Sequence, residues 1–135
     1  MAMSQENVDA VKALFAAFAN RDLVAAASVL DHEIEIRPGL VGGLEGTVYR
    51  GLSGNEQFWT DIDATWAEFR IEPDEFRVLR GRILVLGRAF ARGRESGVVL
   101  DQPAAWIAEV RDGKILKFRS FSNRQEALEA AALRE

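Results

Sequence analysis

The chain has no cysteine, one histidine, one tyrosine and three prolines in 135 residues. The missing thiols exclude disulfides, thiol catalysis and thiolate metal sites. With His32 as the single histidine, a multi-histidine metal site is excluded as well. His32 follows a short predicted helix and is expected to satisfy that helix's end. No apolar run approaches the roughly 20 residues that cross a bilayer. The opening Met1-Ala2-Met3-Ser4-Gln5-Glu6 lacks the basic stretch and apolar run of a secretory signal. A cytoplasmic protein with no membrane partner is the expectation.

Positive charge is scarce too. Seventeen Lys and Arg face 21 Asp and Glu, for a net charge of −4. Nucleic-acid binding draws on a net basic surface that releases counterions from phosphates, so nucleic acid is not an expected partner. Gly39, Gly42, Gly43 and Gly46 form no phosphate loop, because no Lys-Ser or Lys-Thr follows them.

What is present fits one domain spanning residues 1–135. Hydrophobic residues are 48% and charged residues 28%, ordinary values for a globular chain. At this size roughly two thirds of the unfolded surface is buried, enough for a core that leaves room for a cavity.

Periodicity sets out the elements. Val8, Val11, Phe15 and Phe18 recur at helical spacing and predict a helix over 4–20 with Ser4 as its cap. Asp22 can cap a second, alanine-rich helix over Leu23 to Leu30. Glu33 to Arg37 alternates polar and apolar side chains as a short strand, stopped by Pro38-Gly39. A long glycine-rich connection over 39–51 follows, of the kind found at the mouths of sites. Ser53-Gly54-Asn55-Glu56 reads as a capping box for a helix running to about Phe69, with Phe58, Ile62, Trp66 and Phe69 as its apolar stripe. Segments 74–80, 82–94, 98–110 and 114–121 read as strands, and Asp112-Gly113 as a tight hairpin turn. Asn123 and Glu126 open a last helix through Leu133. The order is helix, helix, strand, helix, four strands, helix. That predicts an α+β fold with a mostly antiparallel sheet curved around helices.

Five phrases carry a family resemblance: Ala17-Phe18-Ala19-Asn20-Arg21-Asp22-Leu23, Glu35-Ile36-Arg37-Pro38, Val48-Tyr49-Arg50-Gly51, Arg111-Asp112-Gly113-Lys114-Ile115 and Glu126-Ala127-Leu128-Glu129-Ala130-Ala131. In this order and spacing the chain resembles the SnoaL-like branch of the nuclear transport factor 2-like, or ketosteroid isomerase-like, superfamily. The resemblance implies a cone-shaped fold with a small-molecule pocket. It does not imply one activity, since the superfamily spans isomerases, polyketide cyclases, epoxide hydrolases, dehydratases and non-catalytic modules.

Ketosteroid isomerase chemistry needs a carboxylate base and two oxyanion donors, a tyrosine and a protonated aspartate. Carried onto this chain, the tyrosine position falls on Phe15, the base on Arg37, and the aspartate near Ala105 or Trp106. All three roles are lost. An epoxide-hydrolase cluster is not matched either, although Arg92 and Arg94 precede Asp101.

If Arg37 holds the family's inward-facing position, Glu35 faces the cavity too, because strands have a period of two. Glu35 is then the candidate base, Arg37 its electrostatic partner and Tyr49 a hydrogen-bond donor at the mouth. The bland alternatives are a structural ion pair and a loop anchor. Trp59, Trp66 and Trp106 suit an apolar pocket, and equally a plain core, which the place of Trp66 on the helical stripe favours. Phe118 and Ser120 share a strand face and are candidate pocket residues. Arg80, Arg82, Arg88, Arg92 and Arg94 share parity with Leu84, Leu86 and Phe90. They read as an outer sheet face that is either solvated or, as the resemblance implies, a homodimer interface. Two functions stand: a pocket for an apolar or amphipathic small molecule, with cofactor-free cyclase, isomerase or hydrolase chemistry, or a non-catalytic binding or dimerisation module.

Overall fold

Residues Ala2–Ala19 form α1 and Leu23–Ala27 form α2 in the computed structural model, which describes residues 2–39 and 46–133. Ser4 lies inside α1 rather than ahead of it. The link between the two helices turns on Arg21, held at φ 50. Its guanidinium lies over the Phe18 ring and donates to both carboxylate oxygens of Asp63 at 3.0 and 2.8 Å. Those contacts hold a left-handed conformation that a non-glycine residue rarely adopts. Asp22 then caps α2 by accepting from the Ala25 N–H at 3.0 Å.

The second helix is shorter than its composition implies. Ser28 closes it, its hydroxyl donating to the Ala25 carbonyl at 2.6 Å, and β1 begins at once, covering Leu30–Arg37. His32 is therefore a strand residue and serves no helix end. The two-residue strand β2, Tyr49–Arg50, leads directly into α3, Gly51–Thr65. Gly51 takes φ +76, which turns strand into helix ahead of the expected capping box. Arg50 occupies the cap position with no side-chain cap bond.

The largest departure follows α3. Trp66 and Phe69 do not extend the helix: Trp66–Leu79 form β3, a 14-residue strand. Arg94 closes the helix end, donating to the carbonyls of Asp63 at 2.6 Å and Trp66 at 3.3 Å. Pro73 sits inside this strand, next to a register shift between Pro73 and Glu75. A proline is tolerated there because β3 is an edge strand.

Strands β4 (Arg82–Gly93), β5 (Val99–Arg111) and β6 (Lys114–Phe121) and helix α4 (Arg124–Leu133) complete the chain. Asp112 and Gly113 both take positive φ, 53 and 74, as a tight hairpin turn requires. The six strands form one curved, unclosed sheet in the order β2-β1-β6-β5-β4-β3. Among the described strands only the β1–β6 pair is parallel.

The sheet has two differently covered faces. The main core lies between its inner face and helices α1 and α3, around Val11, Phe15, Phe18, Ile34, Ile62, Val85 and Trp106. A second, smaller cluster lies on the outer face, where Ala127 and Ala131 of α4 cover Leu84, Leu86, Ala105, Ile107 and Phe121. The arginine row on β4 is accordingly tied within the chain. Arg82 donates to the Ala131 carbonyl, Arg88 pairs with Asp101 at 2.9 Å, and Arg92 lies 3.8 Å from Glu68. No described helix is long and apolar enough to cross a membrane.

Candidate functional site

The cavity follows from strand parity. On β1, Ile34 and Ile36 are buried at 0% and 3% exposure, because an alternating strand turns its apolar set to the core. Ile36 is the partner of Phe118 on β6, and Trp106 on β5 is the partner of Ser120. These inner-face residues meet α1 and α3 around a cavity of about 40 Å³. Helix α1 contributes Leu14, Phe15 and Phe18, and α3 contributes Asn55, Phe58, Trp59 and Ile62. The sheet contributes Leu30, Ile36, Phe69, Ile71, Trp106, Phe118 and Ser120.

Aromatic edges organise this wall. Phe15 stands edge-on to Trp106 at 5.0 Å, Phe118 at 5.9 Å and Phe76 at 6.3 Å. Phe18 does the same to Trp59 at 5.5 Å and Phe69 at 6.0 Å. Such T-shaped pairs each contribute about 0.5–1.5 kcal/mol beyond their burial. Phe15 is the hub of this packing.

Two wall residues are polar. The Ser120 hydroxyl accepts from the Gly39 N–H at 3.0 Å. Asn55 is 4% exposed, and its carboxamide makes no hydrogen bond among the described residues. Sequence reasoning passed over Asn55, taking it only as part of a capping phrase. The signal was available: Asn55 stands three, four and seven residues before Phe58, Trp59 and Ile62, on the cavity-facing stripe of α3.

The sequence candidates divide into three groups. Trp59, Trp106, Phe118 and Ser120 come together on the cavity wall. Trp66 and Tyr49 are buried but stand outside that wall. Trp66 is the first residue of β3, and its indole N–H has no partner among the described residues. Tyr49 donates to Asp61 Oδ2 at 2.6 Å, and its ring packs on Phe58 at 5.1 Å. Burial, aided by the Asp61 carboxylate, pushes the Tyr49 phenol up to about 12. Its proton is committed to Asp61 and does not point to a ligand at the mouth.

Glu35 and Arg37 require a correction. They do not face the cavity. Ile36 does, so its two neighbours project from the opposite side of the sheet. There Glu35 Oε1 accepts from Arg37 at 3.2 Å and from Arg50 at 3.1 Å. The Arg37 hydrogen bond and the charges of Arg37, Arg50 and Lys117 hold its carboxyl below the usual carboxylate range, against the opposing effect of burial. The pair lines a separate recess of about 260 Å³ on the outer face. Gly42 and Gly43 lie outside the described residues.

Comparison with known proteins agrees with this architecture. A sequence model of the SnoaL-like domain matches residues 11–118. The structure of TerC co-crystallised with polyporic acid superposes with a TM-score of 0.77 at 22% identity, over 94% of this chain and 98% of that one. An NTF2-like protein from Burkholderia xenovorans LB400 gives 0.77 at 26% identity, over 94% and 96%. An NTF2-like protein of unknown function from Burkholderia pseudomallei K96243 gives 0.77 at 22%, over 93% and 97%. Comparison with curated proteins finds no match.

Proposed function

The chain belongs to the SnoaL-like domain family, and from that membership we propose that it is a non-catalytic binding protein for a small, mainly apolar molecule held on the concave side of its sheet. The composition of the cavity wall carries this reading: twelve apolar side chains, two uncharged polar ones and no titratable group among the described residues. General acid–base chemistry needs a titratable group within hydrogen-bonding reach of the reacting atom. Glu35, Arg37 and Tyr49, the residues whose chemistry suits that role, are engaged elsewhere. That TerC was crystallised with polyporic acid supports small organic molecules as ligands of this fold.

The free volume limits the ligand. About 40 Å³ is well below the roughly 150 Å³ at which an apolar cavity takes up benzene. Binding therefore requires wall residues to give way, and the half-buried Phe58, Phe69 and Phe118 are the ones with room to move. A homodimer belongs to the same proposal. Because α4 already covers Leu84 and Leu86, the outer surface available to a second copy lies around Phe90 and Val99.

The test is a titration of small aromatic compounds followed by the indole N–H signals of the three tryptophans. Trp59 and Trp106 are expected to respond before Trp66, equally in wild type and in Glu35→Gln. Phe118→Ala, which enlarges the cavity, is expected to bind more tightly. If no compound moves Trp59 or Trp106 in wild type or in Phe118→Ala, the binding role is wrong.

A further inference from the structure

Asn55 lies in two walls at once. It faces the inner cavity, and it also lines a groove of about 330 Å³ between α2 and α3, together with Leu23, Val24 and Leu52. Leu30 is the other residue common to both. The groove and the cavity therefore share these two side chains as part of their walls. Its rim is open, with Leu23 38% and Val24 83% exposed beside Ser53 and Glu56.

At its position on the α3 stripe a residue needed only for packing would be apolar, like Phe58, Trp59 and Ile62. Asn55 instead presents a carboxamide, which can both donate and accept. Its carboxamide has no partner among the described residues and is not one of the sealed polar atoms, so it is open to a ligand that enters by the groove. No lysine or arginine lines either the cavity or the groove among the described residues, and the groove contains Glu56. A carboxylate or phosphate would enter past a like charge and find no cation inside.

Resting on the binding role proposed above, we infer that the α2–α3 groove is the entrance to the cavity and that Asn55 selects neutral ligands with an apolar body and one hydrogen-bonding oxygen, such as a hydroxyl or carbonyl. The ligand body packs among the aromatic edges while its oxygen stays at Asn55, near the entrance.

Toluene and phenol test this, because they differ by one hydrogen-bonding group on the same ring. Their affinities are measured by titration calorimetry, with the Trp59 and Trp106 indole signals recorded in parallel. Wild type is expected to prefer phenol over toluene by roughly tenfold beyond the ratio set by their hydrophobicity, the effect of one net hydrogen bond. Asn55→Leu, similar in size, is expected to lose that preference while still binding toluene. Asn55→Ala is carried alongside as a second variant in case leucine repacks the site, and the same loss is expected. If both variants keep the wild-type ratio while the Trp59 and Trp106 signals still respond, Asn55 is not the selecting group and only this inference falls. If neither probe moves those signals in wild type, the binding role falls, and this inference with it.

Discussion

Tyr49 is the only tyrosine, so its ionisation can be followed without assignment. In the folded chain its phenol is pushed from 10.0 up to about 12, first by burial and then by the Asp61 carboxylate that accepts its proton. An unfolded chain releases the phenolic proton near 10. Between those two pH values the unfolded state ionises while the folded state resists. The contribution is fully present below pH 10 and is lost as pH rises toward about 12. Two units at 1.36 kcal/mol each set an upper bound of about 2.7 kcal/mol. Asp61 is only half-buried, so solvent screening lowers the expected loss to roughly 1–2 kcal/mol. Phenolate absorbance, titrated alongside far-ultraviolet circular dichroism, reads the folded midpoint directly. Denaturant unfolding across the same range reads the stability. In Tyr49→Phe the decline in stability over this range is expected to shrink by the same amount, and Asp61→Asn is expected to move the phenol part of the way back toward 10. A phenolate midpoint near 10 in a chain that is still folded would refute the argument, because the ring would then be neither buried nor held by Asp61.

Two other predictions concern the sheet. In Gly87→Ala the new Cβ would lie 2.1 Å from the Glu72 carbonyl oxygen and 2.9 Å from the Pro73 Cα. That overlap with backbone should cost about 2–3 kcal/mol; a denaturation midpoint equal to or above wild type would contradict the close approach of β3 and β4. For assembly, Val99 is 56% exposed on the uncovered part of the outer face. Wild type should sediment as a dimer and Val99→Asp as a monomer, and a monomeric wild type would remove the dimer from the proposal.

The strand around Glu35 shows how much of the site was legible and what misled. Alternation alone turns Ile34 and Ile36 to the core, and that reading of β1 was available in the residues. Carrying the family's inward position onto Arg37 shifted the assignment by one residue, and in a strand a shift of one exchanges the two faces. On β6 the same alternation sets Phe118 and Ser120 on one strand face, and both line the cavity. The error at Trp66 and Phe69 has a different origin. Their spacing from Ile62 suits a helical stripe, but it suits an edge strand as well. What ends α3 is the guanidinium of Arg94, 31 residues beyond Asp63, and no local pattern contains that contact.

By itself, the sequence determined the order of the helices and the long strands, the Asp112-Gly113 turn, the alternation of the strands and the lack of thiol or multi-histidine chemistry, but not the two-residue strand β2. These depend on backbone preferences and side-chain period, which act over a few residues. The tertiary structure alone decided that the Glu35–Arg37 pair lies behind the sheet, that α4 covers Leu84 and Leu86 on the outer face, and that the cavity holds about 40 Å³. It also decided that Asn55 stands between groove and cavity without a partner. Free volume and polar satisfaction are properties of several elements packed together, so no single segment specifies them.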